Sequence, residues 1–406
     1  MTPLPNHMPH PLPEGLPPGL IRPYYQPIIA MDTGLIAGYE VLGRVVNNGV
    51  ARSLGSFFAD SSVPMDEHLK VDGYIREAAI GRIGREEMPP LLFLNFKPEW
   101  LYHTGASGEL QMLAMLEKYR LPPNRMVIEI TEESFNGPMD ILRGVIDRYR
   151  ASGCQIAIDD VGIGFSSMDR IAQIQPNLLK IDMHMVKKSG THNGYFGVLR
   201  SFSELAEQIG ASLLFEGVET KEDLERAIQA GARYVQGFLF AKAEPELLPP
   251  EAFAPFVEAE LASNLKRHVI KESHWHDHAE KIADQLMDMT GREDVVADTD
   301  EWLERLLPAL DESCIRAYIC NGDGIQLSAN FCRGANGGWL REEQFRHVNW
   351  SWRPYYIPNL VQLNDRRRSI VSRAYTDLDT HEWIRTISVL VRDGVILFVD
   401  STDNPG

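Results

Sequence analysis

The stretch CQIAIDD at residues 154–160 decides how this chain is read. A short apolar run of strand character ends there in two adjacent aspartates, Asp159 and Asp160. The pattern recurs: Asn95 follows LLFL, Glu129 follows MVI, Lys180 follows LL, Glu216 follows SLLF and Gln236 follows RYV. Upstream, GYEVLGR places Glu40 in a further apolar segment. A charge at the edge of a buried strand is costly unless it is paired or binds a cation. One such end is ordinary, but six in the same position point to one polar site at the mouth of a barrel.

Helix-like stretches separate these runs. PYYQPIIA (23–30) and IAGYEVL (36–42), joined at MDTG, read as a hairpin. Strands at 91–96, 126–131, 154–159, 178–182, 212–216 and 233–240 then alternate with helices at 67–84, 109–120, 138–152, 166–174, 192–210 and 221–230. This βαβα order predicts a largely parallel sheet closed into a (β/α)8 barrel. The opening hairpin requires one strand of that barrel to run antiparallel. After the Pro-rich EPELLPP (244–250), residues 251–297 read as a helical connector, and 298–406 as an α+β domain with a small antiparallel sheet. Residues 21–250 are then the barrel. Residues 1–20, with seven prolines, read as a disordered leader and not a signal peptide.

A chain of 406 residues with net charge -17 is not built to coat nucleic acid, because neutralising phosphates needs a basic face. A nucleotide remains a possible substrate if divalent cations screen its phosphates. The four cysteines form no CxxC pair, which argues against structural zinc and fits a reducing cytosol. No apolar run approaches the length of a membrane span, so a cytoplasmic protein is expected.

Glu40, Asn95, Glu129, Asp159 and Asp160 offer hard oxygen donors and no sulfur, a set that favours Mg²⁺ or Mn²⁺. Two such ions about 3.5–4 Å apart can activate a water and steady the leaving oxygen of a phosphodiester. Glu216 could orient or deprotonate that water, and Lys180 could hold it or neutralise charge on the phosphorane. The plainer alternative for any one acid is a helix cap or an arginine partner.

The ordered motifs YYQPI (24–28), GYEVLGR (38–44), FLN (93–95), EITE (129–132), IDDVGIGFSS (158–167), LKID (179–182), EGVE (216–219) and QGFLF (236–240) resemble the EAL domain. That family hydrolyses cyclic di-GMP to linear pGpG on a modified TIM barrel with one antiparallel strand. The resemblance implies Glu40, Asn95, Glu129, Asp159 and Asp160 as ligands of two Mg²⁺ or Mn²⁺ ions, with Ca²⁺ inhibiting. It implies Glu216 as general base, Lys180 as the lysine of the water and metal site, and Glu132 and Glu219 as further catalytic positions. Gln26, Leu42, Arg44 and Gln236 would meet the nucleotide, and a homodimer is expected. The chain departs from the family with Val41 in the signature, Lys97 after the asparagine, and Val161 and Ile163 where Phe and Thr are usual. The altered loop predicts reduced but real catalysis. The alternative is a silent cyclic di-GMP receptor.

NWSWRPYY (349–356), SRAYTDLDT (372–380), WIRTISVLV and VILFVD resemble the PAS-like sensor of YkuI-type EAL proteins. Trp352, Arg353, Tyr355, Tyr356, Tyr375, Asp377 and Arg385 could line a polar-aromatic pocket for an unidentified small ligand. The alternative is a filled core in which Arg353 pairs with Asp377. In HWHDH, His274 and His278 are four apart, a spacing that can chelate a metal; a solvated helix face is the plainer reading.

Overall fold

The computed structural model describes residues 20–106, 110–130, 138–162, 167–189, 193–290, 299–334, 336–363, 368–392 and 394–402. It divides into two compact units, Met1–Ala262 and Ser263–Gly406, with the division inside the long helix Ala254–Thr290.

In the first unit the strands are β1 (Ile21–Ala30), β2 (Ile36–Asn47), β3 (Val50–Ser53), β4 (Leu91–Phe96), β5 (Met126–Ile130), β6 (Gln155–Val161), β7 (Leu178–Ile181), β8 (Ser212–Phe215) and β9 (Tyr234–Val235). Their order is β1-β9-β8-β7-β6-β5-β4-β2, closed by β1 against β2. This is the expected eight-stranded barrel. β1 runs antiparallel to both neighbours, and β2 and β4 through β9 pair in parallel.

Among the elements that escaped the sequence reading are one strand and two helices. β3 extends β2 as a hairpin and is exposed along its whole length, so no burial alternation marks it. The helices Pro98–Ala106 and Met183–Ser189 lie in stretches read as connections. The last strand is shorter than expected, since the chain turns after Val235 and QGFLF is not part of the ladder.

Alternate strand residues point inward. Ile28, Phe93, Val127, Ala157, Leu178 and Leu214 fill the barrel interior, with Leu91 and Tyr234 against them. A second, larger core lies between the strands and the surrounding helices. Gly38 sits where the barrel wall is tightest: a Cβ there would lie 2.6 Å from the Leu91 carbonyl oxygen and 2.8 Å from Phe93 Cε2. Gly38→Ala is therefore expected to destabilise the barrel by about 1–3 kcal/mol through overpacking. A lower urea midpoint with unchanged slope would show it, and an unchanged midpoint would refute it.

The second unit holds a seven-stranded antiparallel sheet: β10 (Cys314–Asn321), β11 (Asn330–Arg333), β12 (Trp339–Glu342), β13 (Ser369–Val371), β14 (Tyr375–Thr376), β15 (Trp383–Arg392) and β16 (Val395–Thr402). Period-2 alternation gives the sheet two apolar faces. Ala317 and Ile319 pack with Ala279, Ile282, Trp302 and Leu303 of the flanking helices. Tyr318 and Cys320 pack with Tyr356, Ile396 and Phe398 on the other face.

Candidate active site at the barrel mouth

Two residues beyond the apolar layer, each strand presents its next inward position. Phe93 is followed by Asn95, Val127 by Glu129, Ala157 by Asp159, Leu178 by Lys180, and Leu214 by Glu216. Gly38 leads to Glu40 and Tyr234 to Gln236. On antiparallel β1 the same step runs backwards, from Ile28 to Gln26, which pairs in register with Glu40. The strand period thus builds a polar ring directly above an apolar plug.

Lys180 is the hub. Its ammonium is fully buried, 2.8 Å from Glu129 Oε1 and 3.0 Å from both Asp159 Oδ1 and Glu216 Oε1. Asn95 Nδ2 donates to Glu40 Oε1 at 2.8 Å, and Gln236 Nε2 donates to Glu40 Oε2 at 2.7 Å. Burial pushes Glu129 well above the usual carboxylate range, although Lys180 pulls it down. Burial likewise raises Glu216. At Asp159 burial is outweighed by Lys180 and by hydrogen bonds from Glu216 and the Asp160 backbone, so this carboxyl lies below its usual range. Burial works against the Lys180 charge, but Asp159, Glu129 and Glu216 more than restore it.

The donor set fits a divalent cation. Glu129 Oε2 and Gln236 Oε1 are buried without a hydrogen-bond donor, while Glu129 Oε1 and Glu216 Oε1 share the one Lys180 ammonium. Such oxygens are costly unless something electropositive meets them. Four carboxylates act on a single ammonium, which one lysine cannot balance. Glu40, Asn95, Glu129 and Asp159 are the residues that would hold an ion, all through oxygen.

Asp160 departs from the strand period. β6 and β7 lose register between Ile158 and Val161, leaving one extra residue on β6. Asp160 takes a left-handed φ of 57° in that bulge. Its backbone N–H donates to Asp159 Oδ1 at 3.0 Å, and its side chain is exposed instead of entering the helix layer. Bulges re-aim side chains in this way beside active sites. Val161 follows, fully buried.

The remaining candidates are dispersed. Gln26 Nε2 donates to the Ala241 carbonyl at 3.4 Å. Arg44 is tied toward β3 through Ser53 Oγ at 3.4 Å, and Leu42 is half-buried opposite Tyr24. Glu219 is exposed and pairs with Lys187 at 2.8 Å, apart from the Lys180 cluster. Its loop is held by a capping box between Thr220 and Asp223. Glu132 and Ile163 lie outside the described residues.

One positioning residue was missed. Arg76 Nη2 donates to the Asn95 carbonyl at 2.9 Å, and its guanidinium lies 3.4 Å from the centre of the Phe96 ring. Asp72, one helical turn back, holds it at 2.6 Å. The i,i+4 pair is legible in sequence; its target on β4 is not.

The EAL domain matches residues 12–243, more than half of the chain. This chain belongs to the EAL domain family. Residues 252–404 match the EAL-domain associated signalling protein domain. YkuI of Bacillus subtilis, an uncharacterized EAL-domain containing protein, is 32% identical over 382 residues, 94% of each chain. The crystal structure of YkuI in complex with substrate cyclic di-GMP and calcium superposes with a TM-score of 0.87 over 95% of this chain and 97% of that one, at 31% identity. The cyclic di-GMP phosphodiesterase RocR of Pseudomonas aeruginosa is 32% identical over 238 residues, 56% of this chain and 58% of RocR.

Two of the residues read as a sensor pocket in the second unit are engaged elsewhere. Asp377 receives two hydrogen bonds from Arg316, not from Arg353. Arg385 makes a two-point ion pair with Glu272 at 2.9 and 2.6 Å. Both corrections have one cause: a buried charge takes the nearest complementary partner the topology supplies. Tyr355 stacks on Tyr375, and Tyr356 is buried with its hydroxyl on the Asn321 carbonyl. Arg353 lies over the exposed Trp352, 4.9 Å from its ring centre. Among the described residues no helix is long and apolar enough to cross a membrane.

Proposed function

We propose that this protein hydrolyses one phosphodiester of cyclic di-GMP to linear 5'-pGpG, with two Mg²⁺ or Mn²⁺ ions held by Glu40, Asn95, Glu129, Asp159 and Asp160. The observation that carries this reading is the excess of buried oxygen ligands over positive charge: four carboxylates act on the single Lys180 ammonium, and Glu129 Oε2 and Gln236 Oε1 are left without a donor. Bound cations would polarise the phosphoryl oxygens and lower the pKa of an attacking water. Glu216, at the half-open rim of the ring, takes the proton of that water. Lys180 keeps Glu129, Asp159 and Glu216 in register and offsets their mutual repulsion. Arg44 and Gln26 flank the opening and meet the nucleotide. The C-terminal domain, residues 298–406, regulates the barrel as a PAS-like sensor, and the protein works as a cytoplasmic homodimer.

The test is incubation of the purified protein with cyclic di-GMP and Mg²⁺ or Mn²⁺, followed by separation of the nucleotides. Metal-dependent pGpG is expected, at a rate reduced by the Val161–Ile163 loop and suppressed by Ca²⁺. A second reading, a silent receptor, rests on that same loop. It would be established if cyclic di-GMP stayed intact under every metal yet raised the melting temperature by mass action.

A further inference from the structure

His278 meets two donors from a distant part of the second unit. It lies on the helix Ala254–Thr290, facing Asp311 in the turn before β10 and Cys314 at the first position of β10. His278 Nδ1 is 3.2 Å from Asp311 Oδ2, and its Nε2 is 3.9 Å from Cys314 Sγ. Cys314 Sγ is 4.0 Å from Asp311 Oδ1. One ligand atom from each residue lies within 4.8 Å of the other two. Tetrahedral donors around an ion with bonds of about 2.0–2.3 Å stand roughly 3.3–3.8 Å apart, so side-chain shifts of about an ångström close the site around one ring nitrogen of His278.

The ligands are held from behind. Arg333 donates to the carbonyls of Leu310, Asp311 and Cys314 at 3.1, 2.8 and 2.8 Å, which clamps the turn between the two donors. Ser313 donates to Asp311 Oδ1 through both its backbone N–H and its hydroxyl. The order Cys–His–Asp also suggests a cysteine nucleophile, but Cys314 is fully buried and burial pushes its thiol up to about 12. A thiol with no access and little thiolate character is not a nucleophile. An ion has a way in, because the Asp311 side chain is 54% exposed and that of His278 13%. The other histidines of the HWHDH run, His274 and His276, are exposed.

We propose that His278, Asp311 and Cys314 form a three-ligand site for a thiophilic divalent cation, Zn²⁺ by its donor chemistry, with water in the fourth position. Sulfur, imidazole and one carboxylate select Zn²⁺ over Mg²⁺ or Ca²⁺, the reverse of the all-oxygen barrel mouth. Binding expels the Cys314 proton to solvent and ties the helix to the first residue of the sheet, so the ion stabilises the C-terminal domain.

The experiment titrates the full chain, freed of metal by a chelator, with Co²⁺ as a spectroscopic probe. Expected is a sulfur-to-cobalt charge-transfer band that saturates at one ion per chain and is erased by Zn²⁺. The band disappears in Cys314→Ser and His278→Gln and persists in Glu129→Gln, because oxygen donors produce no such band. No band in the folded wild type overturns the proposal, as does a band surviving Cys314→Ser. Should the buried Cys314 variant fail to fold, the exposed Asp311→Asn decides. It is expected to weaken Co²⁺ binding roughly tenfold or more, and unchanged affinity overturns the site.

Discussion

Glu216→Gln is expected to lower the turnover of cyclic di-GMP by roughly 10²–10⁴-fold, the contribution of a positioned general base, while affinity moves only a few-fold. Glutamine keeps the length of the side chain and one carbonyl oxygen toward Lys180. It removes the proton acceptor and nothing else of that size. Lys180 retains Glu129 and Asp159 at 2.8 and 3.0 Å, so the ring stays charge-paired and the fold is not at risk. Single-turnover rates in Mn²⁺, set beside nucleotide affinity in Ca²⁺, separate the two quantities. Wild-type turnover in the variant would remove Glu216 from the chemistry. Equal loss of affinity and rate would make it a binding residue.

Arg316→Met is expected to destabilise the C-terminal domain by about 3–5 kcal/mol, the usual penalty for stranding a buried charge. Arg316 holds Asp377 at 2.9 and 3.1 Å and Asp400 at 2.9 Å, and both carboxylates are essentially inaccessible. Methionine fills the volume but leaves two acids facing each other. Hydrogen exchange at β15 and β16 localises the effect, since these strands carry Arg385 to Ser401 and Thr386 to Asp400 in register. Protection within a few tenths of wild type would show that the triad carries no net stability. The same cluster sets a pH window. Burial pushes Asp377 up, but Arg316 and Thr380 outweigh it and hold the carboxyl at about 2. A depressed folded value means that this stability is present above the unfolded value of about 3.9 and is lost as pH falls toward 2. The gap between wild type and Asp377→Asn is therefore expected to close across that acid range.

The barrel was legible because its two periods do not conflict. Inward positions two residues apart along seven strands carry an apolar residue and then a polar one, and helices fill the intervals. Glu40, Asn95, Glu129, Asp159, Lys180, Glu216 and Gln236 could be named from the ends of apolar runs for that reason. β3 could not, since an exposed strand has no pattern to read. Arg76 could be seen as a partner of Asp72 but not as the donor to the Asn95 carbonyl. Glu219 carries a family motif, yet its side chain faces Lys187 at the surface.

The C-terminal domain shows the opposite balance. Its alternating runs announced an antiparallel sheet, but the partners of its buried charges were misread. Asp377 and Arg385 were read as lining a pocket. Their partners, Arg316 and Glu272, lie 61 and 113 residues away. Local sequence determined which positions of this chain are inward, which strands run in parallel, and which residues crown the barrel, because side-chain alternation is a short-range property of the backbone. Tertiary structure alone decided which charges pair, that Asp160 leaves its strand through a bulge, and that His278 meets Cys314. Those outcomes depend on distances between segments that no local period encodes.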